Sequence, residues 1–229
     1  MPRITVRKSS VQDYARCPRL FKIRWIDGIH GEESFESIIG RIFHDWAANI
    51  MMTENPPLDY VLCDGMMPEL RDMCRWFISI ENKRYEILEE IGKASLWRPV
   101  KVEWEIHGEL DVGEDVIVDA YGHVDRLDRD EDGRYVLIEY KTTRSQHLTD
   151  WRRELTFYRL ILEAAYGYEI KYYVVMNPMR QDYIVERPSR YSEIALKKLL
   201  VRLAYDTEFK PRRGEHCWFC PVRKICEEE

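Results

Sequence analysis

DVIVDAYGHVDRLDRDEDGRYVLIEYK, residues 115–141, is the stretch on which the fold turns. Its two arms are rich in β-branched and aromatic residues, which suit pleated strands. Between them DRDEDG, 128–133, reads as a turn with Gly133 available for positive φ. The arms therefore form an antiparallel hairpin. Side chains alternate across a strand, so Val136, Ile138 and Tyr140 share one face, while Leu137, Glu139, Lys141 and Thr143 share the other. Both faces begin apolar, as in a central strand covered on both sides. On the first arm Tyr121, His123, Asp125 and Leu127 share a face, and pairing around the turn sets Asp125 near the level of Glu139. Two carboxylates and Lys141 then meet on one buried face. A simple ion pair is a weak reason for this, because desolvation offsets most of the attraction. Two hard oxygen ligands suit Mg²⁺ or Mn²⁺, and a backbone carbonyl can add a third. A lysine beside them can orient or deprotonate a water and offset charge building on a phosphate.

Upstream of the hairpin the pattern is helical. Ser9 or Ser10 can cap a first short helix containing Val11, Tyr14 and Ala15, and Pro18 restarts a helix through Leu20, Phe21 and Trp25. Residues 34–52 form the clearest helix, with Phe35, Ile38, Ile39, Ile42, Phe43 and Trp46 near a period of 3.6. Residues 68–91 read as another, with Leu70, Met73, Phe77, Ile80 and Ile87 inward. KVEWEI, 101–106, is a further strand. Downstream, a helix spans about 148–166, strands cover 171–177 and 182–188, and residues 190–206 return to helix. The order predicts one α/β (α+β) domain over 1–229 with a single mixed sheet.

The chain has 229 residues, of which 45% are hydrophobic and 33% charged, as in soluble globular proteins. No apolar run approaches a membrane span and MPRITVRKSS lacks a signal-peptide core, which points to a cytoplasmic protein with reduced cysteines. The net charge of −6 conceals an uneven distribution. Residues 1–24 carry Arg3, Arg7, Lys8, Arg16, Arg19, Lys22 and Arg24 against Asp13 alone. Lys141, Arg144, Arg152, Arg153 and Arg159 form a second basic stretch, and acid concentrates between 103 and 139. Solvated helix faces would look the same as a phosphate track beside a metal site.

GRIFH (40–44), GHVD (122–125) and EYK (139–141) together resemble the ordered motifs of the PD-(D/E)xK nucleases, RecB-like branch. The resemblance implies a restriction-endonuclease-like core. It implies a metal held by His44, Asp125, Glu139 and the backbone carbonyl of Tyr140, with Asp125, Glu139 and Lys141 catalytic. His44 follows Gly40 by one helical turn, so its side chain leans over a position where another backbone can come close. The branch usually carries a glutamine and a tyrosine on the next helix. Here Glu154 stands in the glutamine's place and Tyr158 is retained, so both are accessory candidates.

Six cysteines fall at 17, 63, 74, 217, 220 and 226. CWFCPVRKIC, 217–226, spaces three thiols for one metal centre, and Cys17 of YARCP is a candidate fourth. Four cysteines suit zinc or an iron–sulfur cluster, and spacing does not separate them. The pattern is similar to RecB-like nucleases with one early and three late cysteines, and most to the CRISPR-associated Cas-four group. That resemblance implies a [4Fe-4S] cluster, or [2Fe-2S], on Cys17, Cys217, Cys220 and Cys226, held by segments 9–33 and 207–229. Cys63 and Cys74 match nothing in it and read as structural. The resemblance further implies a metal-dependent deoxyribonuclease on single-stranded DNA, an exonuclease or alternatively an endonuclease, trimming ends in spacer acquisition with the Cas-one and Cas-two integrase proteins. A RecB-like exonuclease of repair or viral replication and a non-catalytic, cluster-stapled DNA-binding subunit are the alternatives.

Overall fold

The computed structural model describes residues 2–31, 34–145 and 147–228. The two cluster-bearing segments expected at 9–33 and 207–229 therefore end on residues outside that description, namely Glu32, Glu33 and Glu229. The strands are β1 (Arg3–Arg7), β2 (Lys101–Asp111), β3 (Ile117–Arg129), β4 (Tyr135–Tyr140), β5 (Ile170–Asn177) and β6 (Asp182–Glu186). The helices are α1 (Lys8–Arg16), α2 (Pro18–Phe21), α3 (Phe35–Thr53), α4 (Pro68–Glu90), α5 (Leu148–Tyr166), α6 (Arg190–Tyr205) and α7 (Arg223–Glu228). The architecture is the expected mixed α/β one, of restriction-endonuclease-like type.

β3 organises the sheet. β2 lies antiparallel along one of its edges from Ile117 to Leu127. The other edge is shared. β1 runs parallel to β3 opposite Ile117–Tyr121, and β4 runs antiparallel opposite Arg126–Arg129. β1 and β4 thus run toward each other. Between their C-terminal ends, residues 122–125 of β3 have no strand partner on that edge among the described residues. β5 then lies parallel to β4, and β6 antiparallel to β5. The hairpin register pairs Arg126 with Ile138, which places Asp125 level with Glu139 as expected.

Both faces of the sheet are covered. Val118, Leu137 and Val175 pack with Leu155, Ile161 and Leu200 of α5 and α6. On the opposite face Ile138, Tyr140 and Met176 pack with Phe43, Met73 and Phe77 of α3 and α4. The alternation read from β4 is the one observed.

Several local readings need correction. The sequence reading had no strand at β1, because Ile4 and Val6 alternate over only five residues crowded by arginine. α1 starts at Lys8, and Ser10 closes its first turn from inside by accepting the Arg7 N–H at 2.9 Å. Phe35 and Ile42 of α3 are 63% and 43% exposed, and the buried stripe is Ile39, Phe43, Ala47, Ile50 and Met51. Ile87 of α4 is also exposed, because in the last turns of the helix Tyr85 and Leu88 are the side chains turned onto the apolar cluster.

One charged assembly sits beneath the sheet. Arg126 is wholly buried and donates to Glu81 Oε1 of α4 at 2.6 Å and to Asp128 Oδ1 and Oδ2 at 2.8 and 2.7 Å. Arg84 closes it, 2.8 Å from Asp128 and 3.0 Å from Glu81. Burial alone would raise the Glu81 carboxyl, but Arg126 and Arg84 outweigh it and hold it below its ordinary value. Its stabilising effect is therefore present above that ordinary value and lost as pH falls through the lower folded one. Removing one partner of a buried pair typically costs about 3–5 kcal/mol. Glu81→Gln should lower the melting temperature at neutral pH and flatten the acid limb of a stability-versus-pH curve. Melting from pH 7 downward on both proteins checks this.

Candidate metal and catalytic centre

The gap in β3's second edge is where the candidate residues gather. Asp125 lies in it, Glu139 and Tyr140 end β4, and Lys141 follows directly. His44 comes from α3, and Glu154 and Tyr158 from α5. Two glycines allow the approach. A Cβ on Gly40 would stand 2.7 Å from Thr142 Oγ1, so a larger residue there would displace the Thr142 hydroxyl in the segment after β4. A Cβ on Gly122 would stand 2.7 Å from the Tyr158 ring, which is how α5 seats against the GHVD stretch. The Tyr140 ring meets Phe43, Phe77 and His44 edge-on at 5.8, 5.8 and 5.7 Å, orienting the imidazole.

The geometry joins these groups. His44 Nδ1 is 3.3 Å from Asp125 Oδ1, and Asp125 Oδ2 accepts the Tyr140 N–H at 2.7 Å. Lys141 Nζ donates to Glu139 Oε1 and to Glu154 Oε2, each at 2.7 Å. Asp125, Glu139 and Glu154 are all buried. These groups line or back a cleft of about 1000 Å³, bordered also by Arg7, Ser34, Arg41 and Glu103.

The charges sort the groups chemically. Burial pulls the His44 imidazole down, but Asp125 and Glu103 outweigh it and the net shift is upward. Burial would raise Asp125, yet His44, Lys141 and the Tyr140 N–H hold it low. Burial would also raise Glu154, and there Lys141 and Lys8 win and keep it ionised. Glu139 goes the other way: burial and then the charges of Asp125 and Glu154 push it well above the usual carboxylate range, against Lys141 and Lys8. Lys141 is held as an ammonium, because Glu139, Glu154 and Asp125 overcome its burial.

Two residues of the centre were missed from sequence. Glu103 of β2 faces Asp125, between the pairs Val102–Arg126 and Trp104–Val124. Its φ of 43° is in the left-handed region, which is strained for a non-glycine residue. Among the described residues, His44, Glu103 and Asp125 are the set of three ligand-type side chains whose donor atoms lie within 4.8 Å of one another. Only the β2–β3 register singles out Glu103 from the neighbouring acids of KVEWEI. The other missed residue is Lys8, the first residue of α1.

A divalent cation fits this donor set. Glu139 Oε2 and Glu103 Oε1 are buried without a hydrogen-bond partner among the described residues. A mostly oxygen set with one imidazole suits Mg²⁺ or Mn²⁺.

Elsewhere, Cys17, Cys217, Cys220 and Cys226 border one cavity of about 50 Å³, while Cys63 and Cys74 are buried in the α3–α4 core. The tail carrying the late cysteines packs against Gly31, where a Cβ would stand 2.8 Å from Pro221. Arg152 and Arg153 prove to be engaged within the chain. Arg152 pairs with Glu186 at 2.7 Å, and Arg153 pairs with Asp150 at 2.9 Å and also with Gln12. Among the described residues, no helix is long and apolar enough to cross a membrane.

Strand ends, buried carboxylates and a lysine around a cation-fitting pocket define a metal-dependent phosphodiester hydrolase. The chain belongs to the PD-(D/E)XK nuclease superfamily, whose family model matches residues 8–227. Members of that superfamily are nucleases that use divalent metals such as Mg²⁺ or Mn²⁺. The structure is similar to the crystal structure of SSO0001, with a TM-score of 0.50 and 17% identity, covering 98% of this chain and 86% of that one. That is a likeness of fold. Compared with curated proteins, the chain gives no match.

His44→Ala should weaken Mn²⁺ binding on the order of tenfold or more while the melting temperature falls only modestly. Calorimetric titration beside thermal melts tests this. A large drop in melting temperature with unchanged Mn²⁺ affinity would make His44 a packing residue.

Proposed function

We propose that this nuclease is a deoxyribonuclease that trims single-stranded DNA ends, in the manner of the Cas-four group in spacer acquisition beside Cas-one and Cas-two. The observation that carries the nuclease chemistry is the convergence of His44, Asp125, Glu139 and Lys141 at the unpaired stretch of β3. The single-strand and spacer-acquisition parts rest on the sequence motifs and the cysteine spacing alone.

His44, Asp125, Glu139 and the Tyr140 carbonyl hold the metal in this reading, with Glu103 beside them. A bound divalent ion lowers the pKa of a water and offsets charge on the phosphate. Asp125 is oriented for its part by the Tyr140 N–H at 2.7 Å. Lys141 acts as a fixed cation aimed at the phosphate oxygens, because its ammonium is already held by Glu139 and Glu154 at 2.7 Å. A deprotonating role for Lys141 suits that setting poorly. Tyr158 backs the site and keeps it dry from the α5 side, being wholly buried. Cys17, Cys217, Cys220 and Cys226 hold a [4Fe-4S] cluster, with [2Fe-2S] as the second choice. Their shared cavity and the separate burial of Cys63 and Cys74 support this set. The cluster then belongs to a single nuclease domain and braces the tail against the junction of α1 and α2.

End-labelled single- and double-stranded DNA should be cut with Mn²⁺ or Mg²⁺, single strands preferentially, and not with chelator. Asp125→Ala and Glu139→Ala should each lower cleavage at least about a hundredfold while melting as folded proteins. Full activity in folded Glu139→Ala would sink the site assignment, and internal cutting without end dependence would replace trimming by nicking.

Anaerobically purified protein should be brown. Cys17→Ala and Cys220→Ala should each bleach it, and Cys63→Ala and Cys74→Ala should not. Colourless protein with one zinc per chain would put a zinc site in the cluster's place.

A further inference from the structure

The centre holds a second lysine. Lys8 Nζ pairs with Glu154 Oε1 and lies 3.8 Å from Glu139 Oε1. Lys141 Nζ is 2.7 Å from Glu154 Oε2 and 2.7 Å from the same Glu139 oxygen. The four groups make a ring of alternating basic and acidic side chains: Lys8, Glu154, Lys141, Glu139. Their side chains are 31%, 4%, 15% and 2% exposed in that order, so solvent does little to screen them. Lys8 also stands 5.9 Å over the Tyr158 ring.

The ring follows from the sheet. β1 and β4 run toward each other along one edge of β3. Lys8 is the first residue after β1, and Lys141 the first after β4. Both ammonium groups therefore reach the same gap from opposite sides. A buried carboxylate at 154 needs more positive charge than Lys141 supplies, because Glu139 draws on the same Nζ. A neutral amide at that position would need no second cation. Lys8 and Glu154 are thus a matched pair, each unfavourable without the other.

We propose that Lys8 is a positioning residue for the nuclease reaction. Through Glu154 it fixes the Lys141 ammonium against Glu139, and it balances the extra carboxylate that Glu154 brings to the centre. The proposal rests on the nuclease reading for its catalytic consequence, and on geometry alone for the pairing. Lys8 fixes one oxygen of Glu154, so the other is aimed at Lys141. Without Lys8, Glu154 is free to draw Lys141 away from Glu139 or to turn toward the cation itself.

The test is a double-mutant cycle in the full chain, with Lys8→Met, Glu154→Gln and both together. Three quantities are read: melting temperature, Mn²⁺ affinity by calorimetry, and the cleavage rate constant at saturating single-stranded DNA. In Mn²⁺ affinity the singles should move oppositely. Lys8→Met removes a cation that competes for Glu139, so binding tightens. Glu154→Gln removes a negative charge, so binding weakens. The double variant should return to within about threefold of the parent. In rate, each single should fall on the order of tenfold with a smaller change in KM, and the double should recover most of the loss. Lys8→Arg should keep more activity than Lys8→Met.

Additive losses in rate overturn the proposal, as do single variants that shift Mn²⁺ affinity in the same direction, and as does wild-type behaviour of Lys8→Met. Coupling in melting temperature alone would reduce Lys8 to a structural pair and also overturn it. If the parent protein cuts no nucleic acid, the nuclease reading falls, while the melting and Mn²⁺ cycles still score the pair. A single variant that does not fold is replaced by Lys8→Gln, judged by the same three readings.

Discussion

Everything at the centre depends on how β3 divides its second edge. A parallel β1 and an antiparallel β4 cannot share one neighbour without meeting end to end. At the meeting point β3 loses its ladder on that edge, and a side chain takes the place of one ladder bond. Asp125 is the example: its carboxylate accepts the Tyr140 N–H at 2.7 Å, in the place where a strand carbonyl would otherwise do so. The same geometry brings two chain segments to the gap, each leaving its strand with a lysine. The gathering of these groups here is a consequence of strand direction as much as of residue choice.

The molecule buries charge in two distinct ways on the two faces of one strand. Arg126 and its partners form a closed, hydrogen-bonded assembly in which the guanidinium binds Glu81 and grips both Asp128 oxygens. Such an assembly holds α4 against β3 and has little left to offer a ligand. One residue away, Asp125, Glu139 and Glu103 keep unspent capacity, with Glu139 Oε2 and Glu103 Oε1 lacking partners among the described residues. The first arrangement supplies rigidity and the second leaves oxygens open to a ligand, and adjacent positions of VDRLD carry them.

Much of the sheet was legible because its information is local. The turn DRDEDG fixes the β3–β4 register, and that register alone brings Asp125 level with Glu139. Helix α5 shows its boundaries through its periodic leucines and the left-handed Gly167 that ends it. The parts that were not legible depend on distant pairing. β1 acquires its meaning from Ile117–Tyr121, far along the chain, and without it Lys8 is one basic residue among many. Glu103 differs from Glu105 only through the strand opposite. The exposed Phe35 and Ile42 carry the same lesson for α3: periodicity locates a stripe, but the partner surface decides which part of it is covered.

The pairing of β1 with β3 also bears on how the chain becomes active. Arg3 meets Ile117, so the N-terminal strand stays without its neighbour until most of the intervening helices and β2 exist. Contacts between such distant segments form slowly, since the loop entropy is lost before the contact rewards it. Lys8 rides on the end of that late-arriving strand. Until that pairing closes, Lys8 is not held at the gap and Glu154 lacks its second cation. The Lys8–Glu154 pair is in effect a report that the longest-range pairing in the sheet has closed.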